Sequence, residues 1–222
     1  MNEEKRKQLE KALSFLDGKQ EEMMGLLERL VKQESGNPDK EGCDAMCALM
    51  EEQLKKLGAK TTVVSMEKKG NFLYGEIGGE RPGKPVLFGG HMDTVFPRGT
   101  IQNTPWRVEN GRAYGPGCLD MKSGLVIALY AAAALGEAGF EERPVRFAFP
   151  GDEENGHRES TAAAEFRAAS RGCAAVFNFE TGYPDDRIVV GRKGSCRLTV
   201  RVKGVGSHAG NAPEKGRNAI LE

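Results

Sequence analysis

The first third of the chain places its apolar residues at helical spacing. Leucines and methionines recur every three or four residues over Lys5–Val31, and Asp17-Gly18 marks a break between two helices. A loop rich in Gly, Asn and Pro follows at 34–42. A third amphipathic pattern at about Cys43–Leu57 comes after that loop. We therefore expect three helices before the first strand.

Short apolar runs, separated by further helical patterns, occupy the middle of the chain. Strands that alternate with helices are typical of an α/β fold, so we predict a mostly parallel mixed sheet flanked by helices. The predicted strands are Thr61–Met66, Phe72–Ile77, Val86–Phe88, Val145–Phe149 and Ala174–Phe179, and the predicted helices are Leu125–Ala138 and Glu159–Ala169.

The pattern changes near Arg187. Apolar and charged residues alternate over Cys196–Gly204, which predicts an antiparallel strand with one solvent-facing side. The last residues, RNAILE, predict the start of a helix. We therefore assign residues 1–190 to one domain and 191–222 to the beginning of a second, α+β domain. A chain that ends on an opening helix is expected to be truncated, although Leu221-Glu222 also fits a cloning remnant.

Composition narrows the class of protein. The 222 residues are 39% hydrophobic and 29% charged, as in an ordinary globular protein with a sizeable core. The 32 basic residues balance 32 acidic residues, so no net field attracts nucleic acid or an anionic membrane. The charged start does not resemble a signal peptide, and no apolar run approaches the roughly 18 residues of a membrane span. We expect neither nucleic acid nor membrane as a partner.

The five cysteines are an odd number scattered along the chain. This distribution predicts reduced thiols and a cytoplasmic location rather than a disulfide framework. Cys43 and Cys47 share one helix face and are a conceivable metal pair. Because no second pair or nearby histidine supports that reading, we expect them to pack in the core.

Residues with metal-binding chemistry follow the predicted strand ends. The stretch LFGGHMDTVF ends one strand and leads to His91 and Asp93, and PGDEENG follows another. Ligands gather outside the carboxyl ends of parallel strands, so we expect these side chains to converge. Crowded carboxylates repel one another unless a cation compensates them, which favours a metal site with N and O ligands, and their surplus indicates two ions. The candidates are His91, Asp93, Asp120, Asp152, Glu153, Glu154 and Glu180.

Each candidate taken alone has a simpler interpretation. A histidine after a strand is usually a hydrogen-bonded loop residue, and Asp120 could cap the helix that follows it. The acidic run could be a solvated turn or an N-terminal charge cluster. Their coincidence at corresponding strand ends favours a site. We interpret His157 as a surface or supporting residue and not as a metal ligand.

Five motifs, in their order, resemble those of the M20 metallopeptidases, and of the glutamate carboxypeptidase-like branch in particular. That superfamily also holds acetylornithine deacetylase and succinyl-diaminopimelate desuccinylase. The motifs are HMDTV from His91, GPGCLDMKSG from Gly115, DEE from Asp152, Phe179-Glu180, and GSHAG around His208.

The resemblance implies an activity and a role for each site residue. Two zinc ions, with cobalt or manganese as substitutes, would share Asp120 as a ligand. His91 and Glu180 would complete the ligand set of the first ion, and Glu154 would bind the second. A metal-bridging water would attack a peptide or amide bond next to a C-terminal amino acid such as glutamate. Glu153 would be the general base, and Asp93 would support His91, two residues away.

The resemblance also implies a homodimer and a lid domain. His208 would reach from the lid into the partner's active site and stabilise the charged oxygen of the reaction intermediate. The substrate would be a small peptide or an N-acyl amino acid. The peptide bond after Asp120 would be cis.

One departure concerns the second ion. In the family, a histidine late in the catalytic domain binds the second ion, and this chain has no histidine that fits. We therefore expect at most one tightly bound zinc, and we expect these 222 residues to be inactive alone. A dipeptidase, an N-acyl-amino-acid deacylase and a non-catalytic metal-binding relative remain alternatives. Glu153 favours an enzyme, because a binding module has no use for a base beside its ligands.

Overall fold

The computed structural model describes residues 2–183, 187–194, 196 and 198–221. They form two compact units that divide between Thr181 and Gly182, and each unit is considered by itself. The domain boundary predicted after residue 190 stays a prediction.

The first unit contains every helix and strand predicted up to Phe179, with ends shifted by a few residues. The helices are α1 Glu3–Asp17, α2 Gln20–Lys32, α3 Lys40–Lys56, α4 Thr100–Asn103, α5 Ser123–Glu137 and α6 Ala162–Ser170. The strands are β1 Lys60–Val64, β2 Gly70–Ile77, β3 Val86–Gly89, β4 Arg107–Glu109, β5 Arg112–Tyr114, β6 Val145–Gly151 and β7 Ala175–Asn178.

Five strands form a mixed sheet in the order β1-β2-β6-β3-β7. β6, β3 and β7 are mutually parallel, whereas β1 and β2 add an antiparallel edge. Gly89 at the end of β3 pairs with Ala148 on one side and Asn178 on the other. The segments that leave the three parallel strands therefore emerge at one edge of the sheet. The α/β prediction is confirmed.

Side-chain alternation along the strands divides the core between the two faces of the sheet. Phe88 and Phe147 pack edge to face, with ring centroids 5.7 Å apart, beneath α2, α3 and α5. Leu87 and Ala148 point to the other face and pack with residues of α6. Burial of each large apolar side chain contributes about 1.5–3 kcal/mol, so both layers hold the parallel strands in register.

The segment Cys118–Glu137 has the length and hydropathy of a membrane-spanning helix: 20 residues with a mean hydropathy of 1.5. We expected no such segment. Half of its most apolar window is buried in the first unit, where Leu125 and Leu129 pack in the main core cluster. Core packing therefore accounts for its apolar character.

The hairpin β4–β5 was not among the predicted elements. Its strands pair Arg107 with Tyr114 and Glu109 with Arg112 around the dipeptide Asn110-Gly111. Both turn residues have positive φ, 51° and 73°. Asn-Gly between two short strands is the usual signature of such a turn, so the signal was present in the sequence.

Two predictions for the second unit are wrong. The described residues of Cys196–Gly204 form no strand, and the described part of RNAILE forms no helix. An alternating segment becomes a strand only where a neighbour accepts its hydrogen bonds. Within the described part of this unit, the one bridge joins Val205 to Arg217. The alternating apolar side chains are consequently exposed, Leu198 at 85% and Val200 at 74%.

Two glycines of α5 form a matched pair for testing this packing. A Cβ on Gly124 would lie 1.9 Å from the carbonyl oxygen of Phe179, whereas a Cβ on Gly136 would meet nothing within 4 Å. Gly124→Ala should therefore destabilise the protein by about 1–3 kcal/mol. Gly136→Ala should stabilise it by about 0.5–1 kcal/mol, since alanine favours helix. Denaturant unfolding measures both, and shifts of the same sign would contradict this packing.

Candidate metal centre

His91 lies at the edge of the sheet where the parallel strands end. It follows β3 by two residues and is only 2% exposed. Its Nε2 is 3.2 Å from Asp120 Oδ1 and 3.3 Å from Glu180 Oε1. One candidate ligand atom from each of the three residues lies within 4.8 Å of the others. The structure therefore brings together the three residues predicted to complete one ion's ligand set.

Asp120 is presented by an irregular turn, Cys118–Lys122, that leads into α5. The Asp120–Met121 peptide is cis, as the resemblance implied. Met121 is fully buried, and its sulfur accepts the backbone N–H of His91 at 3.0 Å. Lys122 is also buried, and its Nζ donates to the carbonyl of Gln33 at 2.9 Å. The turn is thus anchored on both sides of Asp120.

Asp93 connects the histidine to the two glutamates. Its Oδ1 lies 3.3 Å from Nδ1 of His91, whose hydrogen bond is to the backbone carbonyl of Asp93 at 3.0 Å, and this Oδ1 accepts the backbone N–H of Glu153 at 3.0 Å. Its Oδ2 accepts the N–H of Glu154 at 3.0 Å and Nδ2 of Asn37 at 3.2 Å. This buried carboxylate therefore accepts three hydrogen bonds and lies beside the imidazole of His91. The predicted support of His91 by Asp93 stays a prediction.

Asn37 is a residue that sequence reasoning missed. Its side chain also accepts Nδ2 of Asn155 at 3.3 Å, so it links Asp93 to the turn that carries the glutamates. Its backbone N–H donates to Thr94 at 2.8 Å, which fixes its loop beside the segment after β3. The sequence showed only a loop composition there. A buried aspartate requires donors, but their position along the chain depends on tertiary structure.

The charges around His91 determine its protonation. Burial alone would lower the pKa of His91, but its hydrogen bonds to Asp93 and Glu180 raise it to about 11. Burial likewise opposes ionisation of Asp93, and the bonds from His91 and Asn37 keep its pKa below the ordinary value. The cluster thus stabilises positive charge at its centre.

The two glutamates of the acidic turn have raised pKa values. For Glu153 the main cause is loss of hydration, which His91 opposes and Glu180 reinforces. For Glu154 the main cause is again loss of hydration, opposed by His91 and reinforced by Asp120. Glu154 is not part of the three-residue ligand cluster found among the described residues. Glu180 is thus one of the carboxylates that raise the pKa of Glu153, and Asp120 is one of those that raise the pKa of Glu154.

The donor set fits a divalent metal ion. Imidazole nitrogen with carboxylate oxygen suits zinc, cobalt or manganese, and the surrounding carboxylates need a compensating cation. Nδ1 of His91 contacts the backbone carbonyl and the carboxylate of Asp93, which leaves Nε2 directed at Asp120 and Glu180. A carbonyl or carboxylate partner orients a ligating histidine in this way. The donors and their orientation thus agree with the predicted metal site.

The remaining two histidines are not in the ligand cluster found among the described residues. His157 bonds to Asp152. His208 belongs to the second unit, where its Nδ1 accepts the backbone N–H of Gly210 at 3.2 Å and of Asn211 at 3.1 Å. Its predicted role in a partner's active site stays a prediction. The cysteines are all free thiols, and burial is the main cause that raises the pKa of Cys43 and Cys47 to about 12, in keeping with core packing.

Fold and site together define an α/β protein with a candidate metal centre at the ends of parallel strands. The sequence profile of peptidase family M20/M25/M40 matches residues 87–215, more than half of the chain. The chain belongs to this family.

Two curated relatives are similar over most of the chain. Carboxypeptidase G2 of Pseudomonas sp. (strain RS-16) is 36% identical over 200 residues, which cover 88% of this chain and 48% of the relative. Succinyl-diaminopimelate desuccinylase of Burkholderia mallei (strain SAVP1) is 30% identical over 199 residues, which cover 83% and 51%. The chain therefore spans about half the length of the curated relatives it matches.

Solved structures show the same fold. Human carnosine dipeptidase 1 superposes with a TM-score of 0.64 at 22% identity, over 77% of this chain and 40% of that one. An M20 family metallo-carboxypeptidase from Sulfolobus solfataricus gives 0.63 at 24% identity, over 75% and 39%. At these identities the likeness concerns the fold alone.

The pKa of His91 generates a prediction for metal binding, with zinc as the probe ion. Because this pKa lies well above neutrality, one proton must leave the imidazole for each zinc bound. The apparent zinc affinity should therefore rise about tenfold per pH unit between about pH 6 and 8. Competition with a chromogenic chelator measures the affinity, and calorimetry in buffers of different ionisation enthalpy counts the protons. His91→Ala should abolish tight binding, and a pH-independent affinity would contradict the assignment.

Proposed function

We propose that this protein is the catalytic part of a co-catalytic zinc hydrolase that cleaves a peptide or amide bond next to a C-terminal amino acid such as glutamate. The observation that carries the proposal is the shared attachment of His91, Glu153 and Glu154 to Asp93. A candidate metal ligand and a candidate base are thereby held by one buried aspartate, His91 through the aspartate's backbone carbonyl and Glu153 through its carboxylate. Family membership and the similarity to carboxypeptidase G2 support the choice of reaction.

His91, Asp120 and Glu180 would hold one zinc ion, and Asp120 with Glu154 would contribute to a second. Zinc in such a site supplies Lewis-acid polarisation of the scissile carbonyl and makes a water more acidic. Among the residues that the structure describes, a compact three-residue set is present for the first ion only. We therefore propose that it binds one zinc tightly.

Glu153 is the proposed general base. Its backbone is fixed by the bond to Asp93, and its carboxylate would accept a proton from the attacking water and pass it to the leaving amine nitrogen. Loss of hydration raises its pKa, which makes the carboxylate a stronger base. Glu154 is the proposed ligand of the second ion, and Asp120, the ligand proposed to be shared, is one of the carboxylates that raise its pKa.

The substrate class is inferred from relatives. The similarity to carboxypeptidase G2 supports a substrate recognised by its C-terminal residue. The similarity to the desuccinylases supports an N-succinyl amine instead. The higher identity to the carboxypeptidase supports the first choice. Glutamate-terminated dipeptides, N-acyl glutamates and N-succinyl diamines, tested in parallel with the full-length protein and zinc, distinguish the two. Fastest cleavage of the N-succinyl compound would replace the first choice by the second.

Three further features of the proposal rest on the resemblance. We propose a homodimer, a lid domain that begins after residue 190, and a contribution of His208 to the partner's active site. A donor directed at the charged oxygen of the intermediate typically contributes about 10²–10³ in turnover. The free thiols support the proposed cytoplasmic location.

Neighbouring glutamates give the most direct mutational test of the proposed roles. Glu153→Gln in the full-length protein should lower turnover by about 10²–10⁴-fold with metal content near normal, since only proton transfer is lost. Glu154→Gln should instead reduce the metal content. Turnover is measured with a glutamate-terminated substrate, and metal by elemental analysis after dialysis.

Glu159→Gln is the matched control, because Glu159 is an exposed glutamate of the same region whose contacts are with Lys68 and Lys69. It should leave both quantities unchanged. Equal behaviour of the Glu153 and Glu154 variants would show that the proposed division between base and ligand is wrong.

A further inference from the structure

Asp152, which directly precedes the two glutamates, is a carboxylate that the proposed reaction does not use. Asp152 is 0% exposed. Its Oδ1 lies 2.9 Å from Nδ1 of His157, and its Oδ2 accepts the hydroxyl of Ser160 at 2.5 Å. A buried carboxylate is costly unless its oxygens have donors. His157 and Ser160 supply one donor to each oxygen.

The same histidine closes the turn that carries the glutamates. The backbone N–H of His157 donates to the carbonyl of Asp152 at 3.2 Å, and the N–H of Gly156 donates to the carbonyl of Glu153 at 2.6 Å. His157 thus returns to Asp152 twice, once through its backbone and once through its ring. The turn is held by Asp93, which accepts the N–H groups of Glu153 and Glu154, and by His157, which bonds to Asp152.

His157 occupies an unusual backbone position. Its φ is 55°, in the left-handed region that favours glycine and, among other residues, asparagine, aspartate and histidine. The bond from its ring to Asp152 offsets the cost of that conformation. This bond is the main cause of the raised pKa of His157, to which Glu153 and Asp93 also contribute against the effect of burial.

We infer that His157 is a positioning residue for the reaction: through Asp152 it fixes the turn that presents Glu153 and Glu154. This inference rests on the proposed function, because it assigns those glutamates their roles in catalysis. The hydrogen bonds of His157 described above are to Asp152, and it acts by limiting the movement of the backbone between Asp152 and Gly156.

Two variants separate the side-chain bond from the backbone conformation. His157→Asn tolerates positive φ and keeps a donor at about the position of Nδ1, whereas His157→Gly tolerates positive φ and has no donor. Glu159→Gly is the control for added flexibility, because Glu159 also has positive φ, 65°, but makes no contact with Asp152.

The readout is hydrogen exchange of the Glu153 and Glu154 backbone amides, measured by NMR on this chain. Protection at both should fall at least tenfold in His157→Gly and stay within about twofold of wild type in His157→Asn and Glu159→Gly. The amides of β6 should be unchanged in all three. Retained protection in His157→Gly, equal losses in the asparagine and glycine variants, or an equal loss throughout β6 would overturn the inference.

Turnover of the full-length protein then tests the consequence for the reaction. His157→Gly should lower kcat about tenfold with KM near wild type, and His157→Asn should keep kcat near wild type. If His157→Gly loses protection at the Glu153 and Glu154 amides but keeps the wild-type kcat, the positioning role is overturned. Failure of the proposed function gives a different result: Glu153→Gln would then be active, with the hydrogen-exchange pattern of wild type.

Discussion

The site depends on the carboxylate of Asp93. It is buried, accepts hydrogen bonds from the amide of Asn37 and from the backbone N–H groups of Glu153 and Glu154, and lies 3.3 Å from the ring of His91. These contacts join a candidate metal ligand, a loop and the acidic turn. One side chain therefore sets the relative positions of segments that are distant in sequence.

The sheet makes this arrangement possible. β3, β6 and β7 run parallel and in register, so the residues that follow each strand arrive at the same edge. Gly124 lets α5 approach the carbonyl of Phe179, directly before Glu180. The carboxylates that gather there raise the pKa of His91, and the same accumulation of negative charge attracts a divalent cation.

Much of this was readable from the sequence, and for physical reasons. Periodicity located the strands and helices of the first unit because their faces are either buried or exposed to water. The strand ends and the loop before α5 predicted that His91, Asp120 and Glu180 would meet, and the resemblance assigned them to one ion. Other features depend on partners that no local pattern identifies. Asn37 acts through a contact with Asp93 far along the chain, and Cys196–Gly204 has strand periodicity without a paired neighbour among the described residues.

The role of Asp93 as the common anchor is tested most directly by the zinc affinity of Asp93→Asn, measured by chelator competition at fixed pH. The amide keeps the size of the side chain but turns one acceptor into a donor, so it cannot satisfy the donors that now face both oxygens. Loss of such a partner to a ligating histidine typically costs about 10–100-fold in metal affinity. We predict a loss of that size, with Asp17→Asn at the exposed end of α1 unchanged; an Asp93→Asn protein that binds zinc as tightly as wild type would contradict the account.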